Sequence, residues 1–529
     1  MIVRTARPVA RASRPARPPA GEATRRFLAE ADRPPAVPRP WTAKATGAFK
    51  RYADAERLNL PDDRGDAPLG SGPFVGHLLR HLLGIGRCGW AYDLLVPGAR
   101  PGPVVVAPQR PVPSEGELYP IEAYVAGGSR GFPDGLHHYD RAHHALQRLR
   151  PGDHRAALLE ALTAPPAEPP DLVIVLTAVF WRSGVKYGDF AYKLQCQETG
   201  ALVAQSLALT EDLDVSVRPY LDFDGALVEA LLALTRGAEG ALAVLCLTGS
   251  GAREPAATAP GASELIARRA AKAIDPPPSV TASLPLLTAL HAAATIPGGG
   301  PGSGGNPEPA RAGPPPDDDP AVRLPEPVPV RLRAGVAHRR SAPAGFAPAP
   351  IPAEVFAGIL AAAAGGRPGE RDSTSEGPAT CGVWALALRV DGVRPGGYRY
   401  DPEGRLVGAA VPWRGLDEIA AKVWPSTALA LREAAAVILP VGDPLGGVAT
   451  SGDLWYRLQL TESGAVVHRA ALAAAALGLA SRIHSDVCCG PTDSALGLRP
   501  GHRSLSALLV GVTPRRTPVR FVPGRYRPD

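Results

Sequence analysis

Hydrophobic and polar positions along this 529-residue chain fall into helical and strand rhythms, and the same series of rhythms comes round twice. In 74–86 (FVGHLLRHLLGIG) apolar residues recur at helical spacing and stop at Gly84 and Gly86, which predicts a helix with a glycine end. The stretch 117–128 puts Ile121, Ala123 and Val125 on one face, as a strand does, and 135–149 reads as a hairpin turning at Asp140. Residues 171–180 (DLVIVLTAVF) are almost uniformly apolar, as a strand covered on both faces should be. A helix around 190–210 and a strand at 242–248 close the first series. The second has a helix at 352–366, a strand at 382–390, a hairpin at 396–406, a central strand at 434–442, a helix at 456–480 and a strand at 505–512. Each series predicts an α+β unit with helices packed on a central sheet.

The two series are copies. Aligning Tyr192 with Tyr456 sets Leu194, Gln195, Glu198, Gly200, Ala201 and Val203 against Leu458, Gln459, Glu462, Gly464, Ala465 and Val467, an offset of 264. A period that long indicates duplicated domains, since solenoid repeats are far shorter, and the length fits two or three domains. The upstream copy carries Lys186 and Tyr187; the downstream copy has Gly452 and Asp453 near that place and no lysine. The expected organisation is an Arg/Pro-rich disordered tail over 1–45, a first domain over 46–252, and a Pro/Gly/Ala-rich linker over 253–330. A second domain follows over 331–529. Within the linker, 262–274 and 283–296 have the pattern of short helices.

Composition changes the picture in three places. The formal charge is +6, but seven arginines from Arg4 to Arg26 lie in the tail, which leaves the rest near neutral and argues against a nucleic-acid face. No signal-like apolar run follows Met1 and no uncharged apolar stretch reaches a membrane span, so the expected location is cytoplasmic. The six cysteines are dispersed and show no zinc spacing, so no metal is expected.

Three clusters suggest chemistry. In 113–120 (PSEGELYP), Pro113 and Gly116 shape a turn whose amides, with the Ser114 hydroxyl, could bond the edge of a flat heterocycle; an ordinary turn is the plainer reading. Arg339, Arg340 and Ser341 precede an amphipathic helix and, with Arg515 and Arg516 after the last strand, could clamp a phosphate; solvated basic pairs are the alternative. Lys186 is one of only six lysines among 57 basic residues, so a lysine here suggests a titrating group beside Tyr187; a surface Lys-Tyr is the competing reading.

Together these clusters resemble the flavin-dependent nitroreductase superfamily and, within it, the SagB-type azoline dehydrogenases of thiazole/oxazole-modified peptide biosynthesis. The resemblance spans about 70–529 as two tandem units. It rests on Pro113, Ser114, Gly116, Leu118, Tyr119 and Pro120; on Lys186, Tyr187, Gly188, Asp189, Glu198 and Gly200; and on Arg339, Arg340 and Ser341, with Arg515 and Arg516 as the C-terminal basic pair. It implies a mostly antiparallel sheet flanked by helices in each unit, FMN as cofactor, and Lys186 with Tyr187 as the catalytic pair. Pro113, Ser114, Gly116, Leu118, the three residues from Arg339 and the pair Arg515 and Arg516 would hold the cofactor.

The departures matter as much. The first half has no Arg-x-Ser before Phe74, and the second has Pro378-Ala379-Thr380-Cys381-Gly382 where Pro-Ser-x-Gly would fall. The expectation is therefore an intramolecular pseudo-dimer with one working flavin site: the second half grips phosphate, and the first covers the ring and supplies Lys186. The implied reaction oxidises a thiazoline or oxazoline in a ribosomally made peptide to the azole. Dioxygen is the expected acceptor, since no nicotinamide-binding Gly-x-Gly-x-x-Gly loop is found. The implied partners are the modified precursor peptide and a cyclodehydratase or similar enzyme; homodimerisation, the azole and FMN stoichiometry stay open. Two rivals remain, a generic NAD(P)H-dependent nitro or quinone reductase and a non-catalytic scaffold.

Overall fold

The computed structural model describes residues 19–32, 49–52, 54–61, 67–92, 104–127, 132–249, 261–268, 270–273, 284–295, 321–342, 345–365, 380–401, 404–407 and 413–514. Two large antiparallel sheets organise them, beside a two-stranded one formed by Arg87–Tyr92 and Val104–Gln109. In the first, the strand order is Glu56–Asn59, Ala145–Arg150, Gly135–Asp140, Ile121–Gly127, Leu172–Val179, Glu239–Gly249 and Val215–Tyr220. In the second, it is Ala321–Arg323, Arg405–Val407, Gly396–Tyr400, Gly382–Ala387, Ala436–Gly442, Leu508–Gly511 and Ala480–Ile483, with Arg503–Ser504 also pairing Ala436–Gly442. The two orders match strand for strand, as a duplicated α+β unit requires. Leu172–Val179 is buried at every position between Ile121–Gly127 and Glu239–Gly249, which accounts for its unbroken apolar run.

The strand expected from residue 117 begins at Ile121 instead. Before it, Glu115–Glu117 form a single 3-10 turn in which Gly116 and Glu117 have φ of 56° and 57°, and Tyr119 follows at 51°. Three left-handed residues in four cannot lie in an extended ladder. The helix expected over 262–274 is also shorter, ending at Ala267.

Helices Ala191–Leu209 and Leu454–Ala476 cross between the sheets and join the halves. Each is buried on nearly all sides, as helices in the middle of a protein are. Where they meet, a Cβ on Gly200 would stand 1.8 Å from the Thr461 carbonyl oxygen, and one on Gly464 would stand 1.9 Å from that of Gln197. Only glycine permits this approach, and it is used twice at the repeat offset. Polar ties flank the crossing: Gln197 Nε2 donates to the Leu505 carbonyl at 2.8 Å, and His468 Nε2 meets Gln205 Oε1 at 2.8 Å.

Part of the region expected to be a disordered tail is folded. Glu22–Glu30 is a helix whose Phe27 is fully buried, with its ring 6.2 Å from that of Tyr192 and 6.0 Å from that of Tyr456. Thr24 donates through N and Oγ1 to Asp453 Oδ1 at 2.7 and 2.8 Å. Asp32 is buried where it accepts from Tyr456 Oη at 2.7 Å, Arg503 Nη1 at 2.8 Å and Lys193 Nζ at 3.1 Å. Arginine and proline on either side hide this segment in composition, but its contacts hold it.

A second arm mirrors the first. In Pro285–Ala294, Leu287 N donates to Asp189 Oδ1 at 2.8 Å and His291 packs on the rings of Phe180 and Tyr192. Asp189 and Asp453 are 264 residues apart, and so are Phe27 and His291. The arm that precedes the first half therefore docks on the second, and the arm that precedes the second half docks on the first.

Candidate active site

A cavity of about 550 Å³ opens between the halves, within the ~300–1,000 Å³ usual for small-molecule sites. From the first half its wall includes Pro113, Ser114, Gly116 and Glu198; from the second, Arg339, Arg340 and Ser341. Two of the three sequence clusters thus meet there. Leu118 is buried and lies outside the wall. Arg515 and Arg516 lie outside the described residues.

Lys186 and Tyr187 reach the wall at one point. A Cβ on Gly116 would stand 2.7 Å from Lys186 Nζ and 2.8 Å from Tyr187 Oη. The left-handed φ at Gly116 and this crowding both require glycine. Helix Phe180–Tyr187, ending where Gly188 takes φ 59°, delivers both side chains, and the ammonium lies 5.1 Å from the Tyr187 ring centroid. Burial lowers the Lys186 pKa against the opposing pull of Glu115 and Glu117, and raises that of Tyr187 with help from Glu115. Burial thus shifts the amine toward its neutral form and holds the phenol more firmly in its protonated form.

Scarcity alone would not have singled out Lys186. Lys50 and Lys193 are also buried, yet each is committed to a carboxylate, Glu239 and Asp32 respectively. Burial pulls Lys50 down but Glu239 outweighs it, so its pKa rises. Lys186 has no carboxylate in ion-pair contact among the described residues and goes the other way.

Several site residues were not named from the sequence. Arg87, Arg110 and Arg482 join Arg339 and Arg340 in the wall, so five arginines line the cavity. Arg339 is buried, its Nε donates to the Pro111 carbonyl at 2.8 Å, and burial lowers its pKa to about 10. Ser506 Oγ, also in the wall, is buried without a hydrogen-bond partner among the described residues. Five arginines, a buried hydroxyl and a glycine-opened turn suit a flat ligand with a phosphate, so FMN fits the donor set. Nothing in local sequence pattern marks Arg482 or Ser506, because each enters from its own part of the second half.

Ser114 Oγ donates to Glu198 Oε2 at 2.5 Å and accepts from Tyr119 N at 2.9 Å. In the second half Thr380 makes the matching contact: its N donates to Glu462 Oε2 at 2.7 Å, and its hydroxyl bonds the same oxygen. The duplicated scaffold persists there, but Thr450 and Ser451 stand where the offset would put Lys186 and Tyr187.

A larger cavity, about 820 Å³, lies at the end of the first arm, walled by Asp32, Lys193, Trp424, Cys488 and Arg503 among others; it contains none of the residues in the three sequence clusters. Among the described residues no group of His, Cys, Asp or Glu is placed to hold a metal, and no helix is long and apolar enough to cross a membrane.

A structure of a protein assigned as a nitroreductase from Anabaena variabilis superposes over 93% of this chain and 99% of its own, with a TM-score of 0.71 and 21% identity. The fold is nitroreductase-like. Its neighbours also include a nitroreductase with bound FMN from Bacteroides fragilis, at 15% identity over 37% of this chain and 96% of that one with a TM-score of 0.24. A third is the E. coli microcin synthetase McbBCD complex with truncated pro-MccB17 bound, at 16% identity over 40% of this chain and 74% of that one with a TM-score of 0.28. These last two likenesses carry no weight for function. No family model and no curated protein matches the chain.

Proposed function

We propose that the chain is an FMN-dependent dehydrogenase that oxidises a thiazoline or oxazoline ring in a ribosomally made peptide to the thiazole or oxazole. The observation that carries this reading is Lys186 Nζ held with Tyr187 Oη against Gly116, in a cleft whose other wall is cationic. A reductase of nitro compounds needs no base there. As a free amine, Lys186 removes the ring's Cα proton, and the Tyr187 hydroxyl donates a hydrogen bond that orients the ring. FMN, when bound, supplies an acceptor for the Cβ hydride. Arg339, Arg340 and Ser341, with Arg482 beside them, would hold its phosphate, and the turn from Pro113 to Gly116 would face its ring. One proton and one hydride leave, so each ring loses two hydrogens. The substrate is a precursor peptide already carrying the azoline, which a cyclodehydratase would supply.

The test is the visible spectrum and flavin content of the purified protein, then mass spectrometry on an azoline peptide. The expected result is one FMN per chain and a loss of two hydrogens per ring, abolished in Lys186→Ala. Protein that stays colourless with FMN supplied would sink the proposal in favour of a scaffold. Nitro reduction with NAD(P)H untouched by Lys186→Ala, without azole formation, would make it a general reductase.

A further inference from the structure

The turn that presents Gly116 to Lys186 also carries an acid, Glu115, and a second acid, Glu198, reaches it from the first long helix; both are in the cavity wall. Two acids in one wall of a cavity repel each other as a pair of charges, which favours a proton on one of them. Their surroundings decide which one keeps it. Glu198 accepts from Ser114 Oγ at 2.5 Å and stands in the field of Arg110 and Arg182, so it is the better anion. Glu115 Oε1 is sealed from solvent and, among the described residues, accepts from no donor. Burial and the Glu198 charge raise Glu115 well above the carboxylate range.

Lys186 feels both acids of the turn, Glu115 and Glu117, and each in its ionised form favours the ammonium. Glu117 is tied to Gln109 Nε2 at 3.0 Å on the exposed side. The second half offers a comparison, since the match of Thr380 to Ser114 places Cys381 where Glu115 stands; the lysine and the acid are missing together.

We infer that Glu115 stands protonated in the working protein, held so by the Glu198 carboxylate, and that this leaves Lys186 free to act as a base. Both acids are positioning residues that act through Lys186. The inference rests on the proposed dehydrogenase reading for its purpose, but its test does not. The pH dependence of Lys186 acylation, followed by peptide mass spectrometry on the full-length protein, reads the amine directly. Infrared spectroscopy reads the protonated carboxyl.

Glu198→Gln should let Glu115 ionise, moving the Lys186 midpoint up by roughly one unit or more, and should abolish the protonated-carboxyl band at neutral pH. Glu115→Gln, which mimics the protonated acid, should leave the midpoint near that of the parent. Glu115→Gln combined with Glu198→Gln should restore it. A purely structural role would make the double variant worse than either single one. An unmoved midpoint in Glu198→Gln, or no protonated carboxyl in the parent at neutral pH, overturns the inference. Neither readout requires azoline oxidation, so failure of that activity would leave this result standing.

Discussion

Replacing Gly116 by alanine puts a methyl group where the structure has none to spare. An L-residue at φ 56° costs about 1–2 kcal/mol of backbone strain. The added carbon would also approach Lys186 Nζ to 2.7 Å and Tyr187 Oη to 2.8 Å, whereas ordinary contact begins at 3.4 Å, so both must retreat by 0.6–0.7 Å. A misplacement near 1 Å typically costs ~100-fold in rate. Gly116→Ala should therefore lower azoline turnover by about 10- to 100-fold while FMN still binds. It should also lower Tm by a few degrees, at ~2–4 °C per kcal/mol for a domain of ~150–250 residues. The control is Gly497→Ala, at φ 63° with nothing within 4 Å of the new carbon, which pays backbone strain but leaves Lys186 untouched. Turnover would be measured by mass spectrometry on an azoline peptide and stability by thermal melting. If Gly116→Ala loses stability like the control but keeps full turnover, the closeness of Gly116 to Lys186 has no part in the chemistry.

Arg339→Ala should weaken FMN binding by at least about 10-fold, the equivalent of one charge-assisted hydrogen bond of ~1.5–3 kcal/mol, as read by flavin fluorescence titration. Glu122 is buried between Arg141, Arg182 and His138; burial alone would raise its pKa, but Arg182 and His138 outweigh it and bring it to about 2. Because that value is depressed, the stability it confers is complete above the unfolded value near 4.5 and is lost as pH falls toward 2. Glu122→Gln should flatten the acid limb of a pH-denaturation curve. Phe27→Ala should cost about 3–5 kcal/mol in chemical denaturation, as for other fully buried phenylalanines; a surface-like loss below ~0.5 kcal/mol would mean that the arm is undocked in solution.

Much of this architecture was legible because duplication writes its signals twice. Tyr192 and Tyr456, or Gly200 and Gly464, align because the helix crossing tolerates little else at those places. The arms were not legible for the complementary reason. Phe27 packs on Tyr456 as His291 packs on Tyr192, but the two share no side-chain chemistry, so comparing letters finds nothing, while the surrounding prolines suggest disorder. At the candidate site the continuous motifs at 113–116 and 339–341 were readable. Arg87 and Arg482 were not, since a residue that enters a cleft alone carries no spacing to recognise. Glu115 was visible only as the variable letter of Pro-Ser-x-Gly, and its meaning came from what faces it.

The seat of the first arm also sets a timetable. Thr24 is bonded to a residue 429 positions downstream. At roughly 5–20 residues per second a ribosome needs about 20–90 s to make that stretch, so the helix cannot find its anchor before then. Throughout that interval the phenylalanine at position 27 has no Tyr456 to pack on, and the nascent first half waits with an apolar surface open to chaperones.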